Sequence, residues 1–282
     1  MRVALVQMNA SDDPTENLDH LLGMLAIAQD ADFIVTPEVT NCVSTSRTHQ
    51  QAVLCRESAD PTLAEIKKQA LTLGKWILIG SLALRTGDAD GRFANRSFLI
   101  APDGKIAARY DKIHMFGVAL PGGEKYEESS GYRPGSHSVV CKTPIGAIGM
   151  TVCYDLRFPH LYRSLAQSGA QIITVPSAFT RETGRAHWEP LLRARAIETG
   201  CFVVAPAQCG LHRSVSGKCR KTYGHSLAID PWGEVLADGG ENPGVIFVDL
   251  DLELVDQARH RIPALNHNRE FSGPRWTTQT KT

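Results

Sequence analysis

The sequence predicts an α/β protein in which two central β-sheets pack face to face with helices outside, as a pseudo-symmetric sandwich. Three observations lead there. Apolar runs bounded by turn residues alternate with amphipathic segments along the 282-residue chain. Many of those runs are apolar at nearly every position, as strands covered on both faces are. The order of several elements in the first half recurs in the second.

The elements read in order as follows. Val3–Met8 is a strand, about Thr15–Gln29 an amphipathic helix, and Phe33–Thr36 a strand. A helix over about Thr62–Leu73 leads to strands Trp76–Leu84 and Ser97–Ala101. The second series opens with strand Ala147–Val152, helix Pro159–Gln167 and strand Ile172–Pro176. A helix over Pro190–Glu198 places Pro190 in a first turn, where its missing N–H costs nothing. Strands Cys201–Ala205, Leu227–Ile229 and Val245–Val248 precede a helix over Glu253–His260. The echo is visible residue by residue. Ala31-Asp32-Phe33-Ile34-Val35-Thr36-Pro37-Glu38 resembles Ala170-Gln171-Ile172-Ile173-Thr174-Val175-Pro176-Ser177. Ser97–Ile106, with its Pro102-Asp103-Gly104 turn, resembles Ser226–Val235 with Pro231-Trp232-Gly233.

Composition narrows the function classes. Lys plus Arg and Asp plus Glu are 30 each, so no net field favours nucleic acid or an anionic membrane. No apolar run is long enough to span a bilayer, and Met1–Met8 lacks a secretory h-region. Seven cysteines, an odd count with no C-x-x-C pair, argue against a disulfide framework and for a cytoplasmic setting. No zinc-like His/Cys spacing appears, and neither a metal nor an organic cofactor is expected. No Pro/Ser linker divides the chain, so residues 1–272 read as one domain and 273–282 as a polar tail.

Three segments set an ionisable residue at or just past a predicted strand end, where layered α/β proteins place their sites. They are Thr36-Pro37-Glu38, Tyr110-Asp111-Lys112 and Thr151-Val152-Cys153-Tyr154-Asp155. Residue by residue, Glu38 reads equally as a surface carboxylate, Lys112 as a solvated charge and Cys153 as a core thiol.

Taken together, in this order and spacing, the three segments resemble the Glu, Lys and Cys signatures of the nitrilase superfamily of carbon–nitrogen hydrolases. The resemblance extends from Val3-Ala4-Leu5-Val6-Gln7-Met8 to Asn266-His267-Asn268-Arg269, and Cys153-Tyr154-Asp155-Leu156-Arg157-Phe158-Pro159 is its most specific block. It implies a four-layer α-β-β-α sandwich, in agreement with the duplication, and a catalytic triad of Glu38, Lys112 and Cys153. It also implies an accessory glutamate after the lysine. Glu124, Glu127 and Glu128 are available, and spacing favours Glu128 with Glu127 as competitor. Family members pair sandwiches, so a homodimer or higher homo-oligomer is expected.

The residue types suit the chemistry. A free thiol has a pKa of about 8.5, and Lys112 would favour its anion. Glu38 would take the thiol proton as general base, and Cys153 would attack the amide carbon. Lys112 and the backbone N–H of Tyr154 would hold the oxyanion. Glu38 would then protonate the departing ammonia and activate the water that hydrolyses the thioester. A Cys–His pair using His114 or His225 is the mechanistic rival, with structural histidines the preferred reading.

The resemblance implies a small linear amide as substrate. Arg157 is a candidate clamp for a substrate carboxylate, against an ion pair with Asp155 or Glu38. Tyr154, Ser177, Phe179 and Thr180 are candidates for the pocket wall. Ala186-His187-Trp188-Glu189, Leu192–Glu198, Ala207-Gln208-Cys209-Gly210 and Tyr223-Gly224-His225-Ser226 resemble the Nit1-type branch, whose members cleave the amide of deaminated glutathione. Thr180-Arg181-Glu182 and a longer loop at His212–Lys221 depart from that pattern. Arg193 and Arg195 read as a charged helix face or a dimer contact. The alternatives are an ω-amidase acting on 2-oxoglutaramate, another small-amide or carbamoyl hydrolase, and a catalytically silent binding protein on the same fold.

Overall fold

The computed structural model describes residues 1–119, 125–215 and 218–274. The first half runs β1 (Arg2–Gln7), α1 (Pro14–Ile27), β2 (Phe33–Val35), α2 (Arg47–Val53), α3 (Pro61–Leu73), β3 (Trp76–Arg85), β4 (Phe93–Ile100) and β5 (Ile106–Asp111). Short strands β6 (Gly117–Ala119), β7 (Lys125–Glu127) and β8 (Tyr132–Arg133) follow. The second half runs β9 (Val139–Thr143), β10 (Gly146–Met150), α4 (Pro159–Gln167), β11 (Ile172–Thr174), α5 (Arg181–Thr199) and β12 (Phe202–Ala205). It ends with the hairpin β13 (Cys209–His212) and β14 (Arg220–Tyr223), then β15 (Leu227–Ile229), β16 (Val235–Asp238), β17 (Gly244–Asp249) and α6 (Glu253–Arg261).

Two sheets carry the fold. One has the order β17-β1-β2-β3-β4-β5, with β8 beside β4; the other is β16-β15-β12-β11-β10-β9. In the first, parallel β1, β2 and β3 are extended by antiparallel β4 and β5. In the second, parallel β10, β11 and β12 are extended by antiparallel β15 and β16. An antiparallel strand, β17 or β9, flanks the other side of each parallel trio. Parallel neighbours need crossovers. Helices α1 and α3 supply them in one half, and α4 and α5 in the other. The internal echo in the sequence is therefore a duplication of topology.

Burial explains the continuous apolar runs. Val3 and Leu5 of β1 pack with Ile148 and Met150 of the facing sheet. Ala4 and Val6, pointing the other way, pack with Leu21 and Leu25 of α1 and Ile66 of α3. On the far side, Leu161 and Leu165 of α4 and Leu192 of α5 join the core with Ile173 and Val203. The layers are thus α-β-β-α. Asp13 and Asp60 cap α1 and α3, accepting from Thr15 N and Leu63 N at 2.8 Å each.

Some expectations change. Helix α5 begins at Arg181, with Thr180 as its N-cap, so Pro190 lies inside a helix of 19 residues. A proline there forgoes one backbone hydrogen bond. The helix continues because Trp188, Leu192 and Ala196 are buried against the second sheet. Strand β4 starts at Phe93, four residues before the predicted Ser97. Strand β5 was implied only by its end beside Lys112 and given no span, because it is half-exposed and carries a charge at Arg109. Arg195 is buried rather than on a charged face: its Nε donates to Leu156 O at 2.9 Å and its guanidinium lies 5.4 Å from the Tyr162 ring centre. Of the expected tail, residues 275–282 lie outside the described residues. Among the described residues no helix is long and apolar enough to cross a membrane.

Candidate active site

The ends of β2, β5 and β10 converge on a cavity of about 600 Å³ lined by Glu38, Lys112, Glu128 and Cys153. Glu38 follows β2 in a turn closed by local polar contacts. Thr40 Oγ1 donates to Pro37 O at 2.7 Å, and Ser81 Oγ accepts from Val39 N at 2.8 Å. Val39 takes φ +47°. Gly80 of β3 passes so close that a Cβ there would lie 2.0 Å from Thr36 O and 2.5 Å from Pro176 Cβ. Only glycine lets the two equivalent Pro turns meet across the sandwich.

Cys153 opens a 3₁₀ turn, Cys153–Arg157, directly after β10. Its φ of +52° is strained for a residue with a side chain, costing about 1–3 kcal/mol. Its N–H donates to Pro176 O at 2.9 Å. The following N–H, of Tyr154, lies in the first turn of this helix, where no intrahelical acceptor exists.

Lys112 connects the charges. It is 2% exposed. Its Nζ donates to Glu38 Oε1 at 2.8 Å and to Glu128 Oε1 and Oε2 at 3.0 and 2.7 Å. Glu38 Oε2 accepts from Ala178 N at 2.9 Å. Glu128 Oε2 also accepts from Phe116 N at 2.7 Å. Of Glu127 and Glu128, it is Glu128 that contacts Lys112. The Glu127 side chain is exposed, and Glu124 lies outside the described residues.

The protonation states follow from this packing. Burial alone would lower the Lys112 pKa, but the Glu128 and Glu38 carboxylates outweigh it and hold the ammonium well above the lysine range. Burial would raise Glu38, yet the Lys112 charge, with the hydrogen bond that Lys112 donates, brings it below the ordinary glutamate value. Cys153 is pushed up, by burial first and the Glu38 charge second. Lys112 does favour the anion, as expected, but it is outweighed. These shifts favour a neutral thiol beside a carboxylate and an ammonium.

Both histidines of the rival mechanism are otherwise engaged. His114 Nδ1 is 2.7 Å from Asp155 Oδ1, and its ring stacks on Phe158. His225 Nδ1 lies 3.0 Å from both Asp238 oxygens.

The pocket candidates divide. Tyr154, Phe179 and Thr180 line the cavity. Ser177 does not: it is fully buried, its Oγ donating to Val175 O at 3.0 Å. Arg157 is not among the lining residues; its guanidinium lies 5.8 and 5.7 Å from the ring centres of Tyr154 and Phe179. Nor does it pair with Asp155 or Glu38, whose oxygens bond elsewhere. The basic side chains on the cavity wall are instead Arg47, Lys218 and Arg220, besides Lys112. Lys218 and Arg220 fall within His212–Lys221, where the sequence departs from the Nit1-type pattern.

Sequence reasoning missed Asn95. Its Nδ2 donates to Glu38 Oε1 at 2.9 Å and Glu128 Oε1 at 3.2 Å, and its carbonyl accepts from Lys112 N at 3.0 Å. The available signal was a lone amide within the otherwise apolar opening of Phe93-Ala94-Asn95.

A carbon–nitrogen hydrolase family model matches residues 2–260. A deaminated glutathione amidase from Yersinia enterocolitica is 37% identical over 272 residues, 96% of this chain and 93% of its own. The crystal structure of the C. elegans NitFhit protein superposes with a TM-score of 0.85 at 34% identity, covering 95% of this chain and 65% of that one. The present chain thus spans about two thirds of that protein. A mutant of the amidase from Nesterenkonia sp. AN1, with acrylamide added at its active-site cysteine, superposes with a TM-score of 0.75 at 26% identity, covering 93% of this chain and 98% of that one.

Proposed function

Because the chain belongs to the carbon–nitrogen hydrolase family and is an amidase, we propose that Cys153 is its nucleophile, Glu38 its general acid–base and Lys112 its oxyanion donor, with Glu128 orienting Lys112. One observation carries this reading: the Lys112 ammonium sits at 2.7–3.0 Å from both Glu38 and Glu128, and Cys153 shares their cavity. As the carbon–sulfur bond forms, Glu38 takes the thiol proton. The oxyanion is held by Lys112 and the Tyr154 N–H. Glu38 returns the proton to the nitrogen, the C–N bond breaks, and ammonia leaves a thioester on Cys153. A water then gives its proton to Glu38 and attacks the thioester, releasing a carboxylic acid and the thiol.

The substrate class is a linear carboxamide bearing a carboxylate, as in deaminated glutathione. Arg47, Lys218 and Arg220 on the cavity wall support a distal anion. The functional unit is residues 1–272. Its setting is cytoplasmic, in keeping with seven unpaired thiols. It works as a homodimer, for which the exposed Ile197, Trp232 and Ile262 beside α5 and α6 offer an apolar surface. A monomeric mass by light scattering at micromolar concentration counts against the dimer.

The test is ammonia release on deaminated glutathione, 2-oxoglutaramate, a carbamoyl amino acid and a nitrile, with intact mass spectrometry of the protein. The expected result is fastest release from deaminated glutathione and a transient acyl adduct that is lost in Cys153→Ala. Preference for 2-oxoglutaramate would make the protein an ω-amidase. Neither adduct nor ammonia across the panel would leave a binding protein on the hydrolase fold.

A further inference from the structure

Asp155 is fully buried two residues after the nucleophile, and the steps above leave it without a role. Its carboxylate collects hydrogen bonds from two segments that belong to different sheets. Oδ2 accepts from Tyr110 Oη at 2.7 Å and Val152 N at 2.9 Å. Oδ1 accepts from His114 N at 3.0 Å and lies 2.7 Å from His114 Nδ1. Tyr110 and His114 stand two residues before and two after Lys112, at the end of β5 in the first sheet. Val152 and Asp155 bracket Cys153, at the end of β10 in the second. One buried carboxylate therefore joins the lysine-bearing segment to the cysteine-bearing turn.

The joint is stiff for physical reasons. A buried carboxylate must keep its donors, because each lost bond leaves a desolvated charge less satisfied. Asp155 also closes a ring around the strained residue: its side chain accepts from Val152 N while its own N–H donates to Val152 O at 3.1 Å. A positive φ at Cys153 persists only where such contacts over-determine it.

We propose that Asp155 is a positioning residue, which registers Cys153 against Lys112 and Glu38 by holding the nucleophile turn and the Lys112 segment on one carboxylate. The proposal rests on the roles given above to Cys153, Lys112 and Glu38. Asp155 itself touches none of the reacting atoms.

Asp155→Asn tests it with little change of volume. The Tyr110 hydroxyl can rotate and the His114 ring can change tautomer, but the backbone N–H groups of Val152 and His114 face different oxygens and cannot invert. Whichever way the amide is placed, its NH₂ meets one of them. A misplacement of the nucleophile by about 1 Å can cost about 100-fold in rate. The expected result is kcat reduced about 100-fold, per titratable Cys153 thiol, with KM within about threefold. Tyr110→Phe and His114→Ala each leave both backbone donors in place, and each should cost less than about tenfold.

A purely structural role predicts lower thermal stability with kcat per titrated thiol unchanged, and that result overturns the proposal. So does a change confined to KM. Should Asp155→Asn fail to fold, the Tyr110→Phe/His114→Ala double variant replaces it; a fall in kcat of at least about tenfold supports the proposal and an unchanged kcat overturns it. Should the unaltered protein release no ammonia from any amide, the amidase reading of the site fails separately. The positioning role is then read from iodoacetamide alkylation of Cys153 against pH, where a shifted profile in Asp155→Asn supports it and an identical profile overturns it.

Discussion

Glu128→Gln separates an accessory glutamate that works through Lys112 from one that merely lies near it. In the structure each Glu128 oxygen accepts from two donors. Oε1 receives Lys112 Nζ at 3.0 Å and Asn95 Nδ2 at 3.2 Å, and Oε2 receives Lys112 Nζ at 2.7 Å and Phe116 N at 2.7 Å. A glutamine has one acceptor oxygen, so its NH₂ confronts two donors in either orientation. A hydrogen bond to a charged group contributes about 1.5–3 kcal/mol, and the ammonium loses at least one while a donor–donor contact appears. Taking about 3 kcal/mol as the combined effect, and 1.36 kcal/mol per factor of ten, kcat should fall about 100-fold. The loss has a second origin: with Glu128 neutral, Lys112 pairs with Glu38 alone and weakens it as a base. The assay is ammonia release normalised to the titratable Cys153 thiol, beside Glu127→Gln, which should stay within about twofold because its side chain is exposed. A kcat for Glu128→Gln within about threefold of the unaltered enzyme, or an equal loss in Glu127→Gln, would refute the reasoning.

Glu38→Gln should abolish turnover while His225→Ala leaves substantial activity; the reverse pattern in an ammonia assay would sink the glutamate-based mechanism. Because Glu38 is held low and the Cys153 thiol high, kcat/KM should stay flat between the ordinary glutamate and thiol values of about 4.3 and 8.5, wherever the protein remains folded. A pH–rate profile with a limb rising near 8.5 would contradict a neutral resting thiol. Arg220→Gln should weaken kcat/KM for a carboxylate-bearing amide more than for its neutral methyl ester, and Arg157→Gln should not discriminate between them. His212 is buried, with Nδ1 and Nε2 each 2.6 Å from Ala10 O and Thr222 Oγ1, and burial lowers its pKa from 6.5 to about 4. The unfolded chain therefore takes up this proton first. About 3 kcal/mol of stability, complete above pH 6.5, should be lost as pH falls towards 4. Urea midpoints across that window should show the slope, and His212→Gln should flatten it.

By itself the sequence determined the layered architecture and the places where chemistry could sit. The reason is local. A strand buried on both faces needs an unbroken apolar run, as at Val3–Val6, and a run that stops at a charged or nucleophilic residue delivers that residue to the sheet's edge. Glu38 and Cys153 were legible in that way, Lys112 only through its resemblance to a family signature, and the duplication was legible because β2 and β11 end in the same Pro turn. Tertiary structure alone decided what depends on distance and burial across segments far apart in the chain. Neighbouring residues point in different directions, so Ser177 bonds its own backbone while Phe179 and Thr180 face the cavity. Likewise Glu127 is exposed while Glu128 grips Lys112. Arg157 follows the nucleophile in sequence yet stacks on aromatic rings, and Arg220, 67 positions beyond Cys153, reaches the cavity wall. The thiol's charge state was also a matter of packing. A lysine nearby suggested an anion; full burial beside Glu38 raises the thiol's pKa instead.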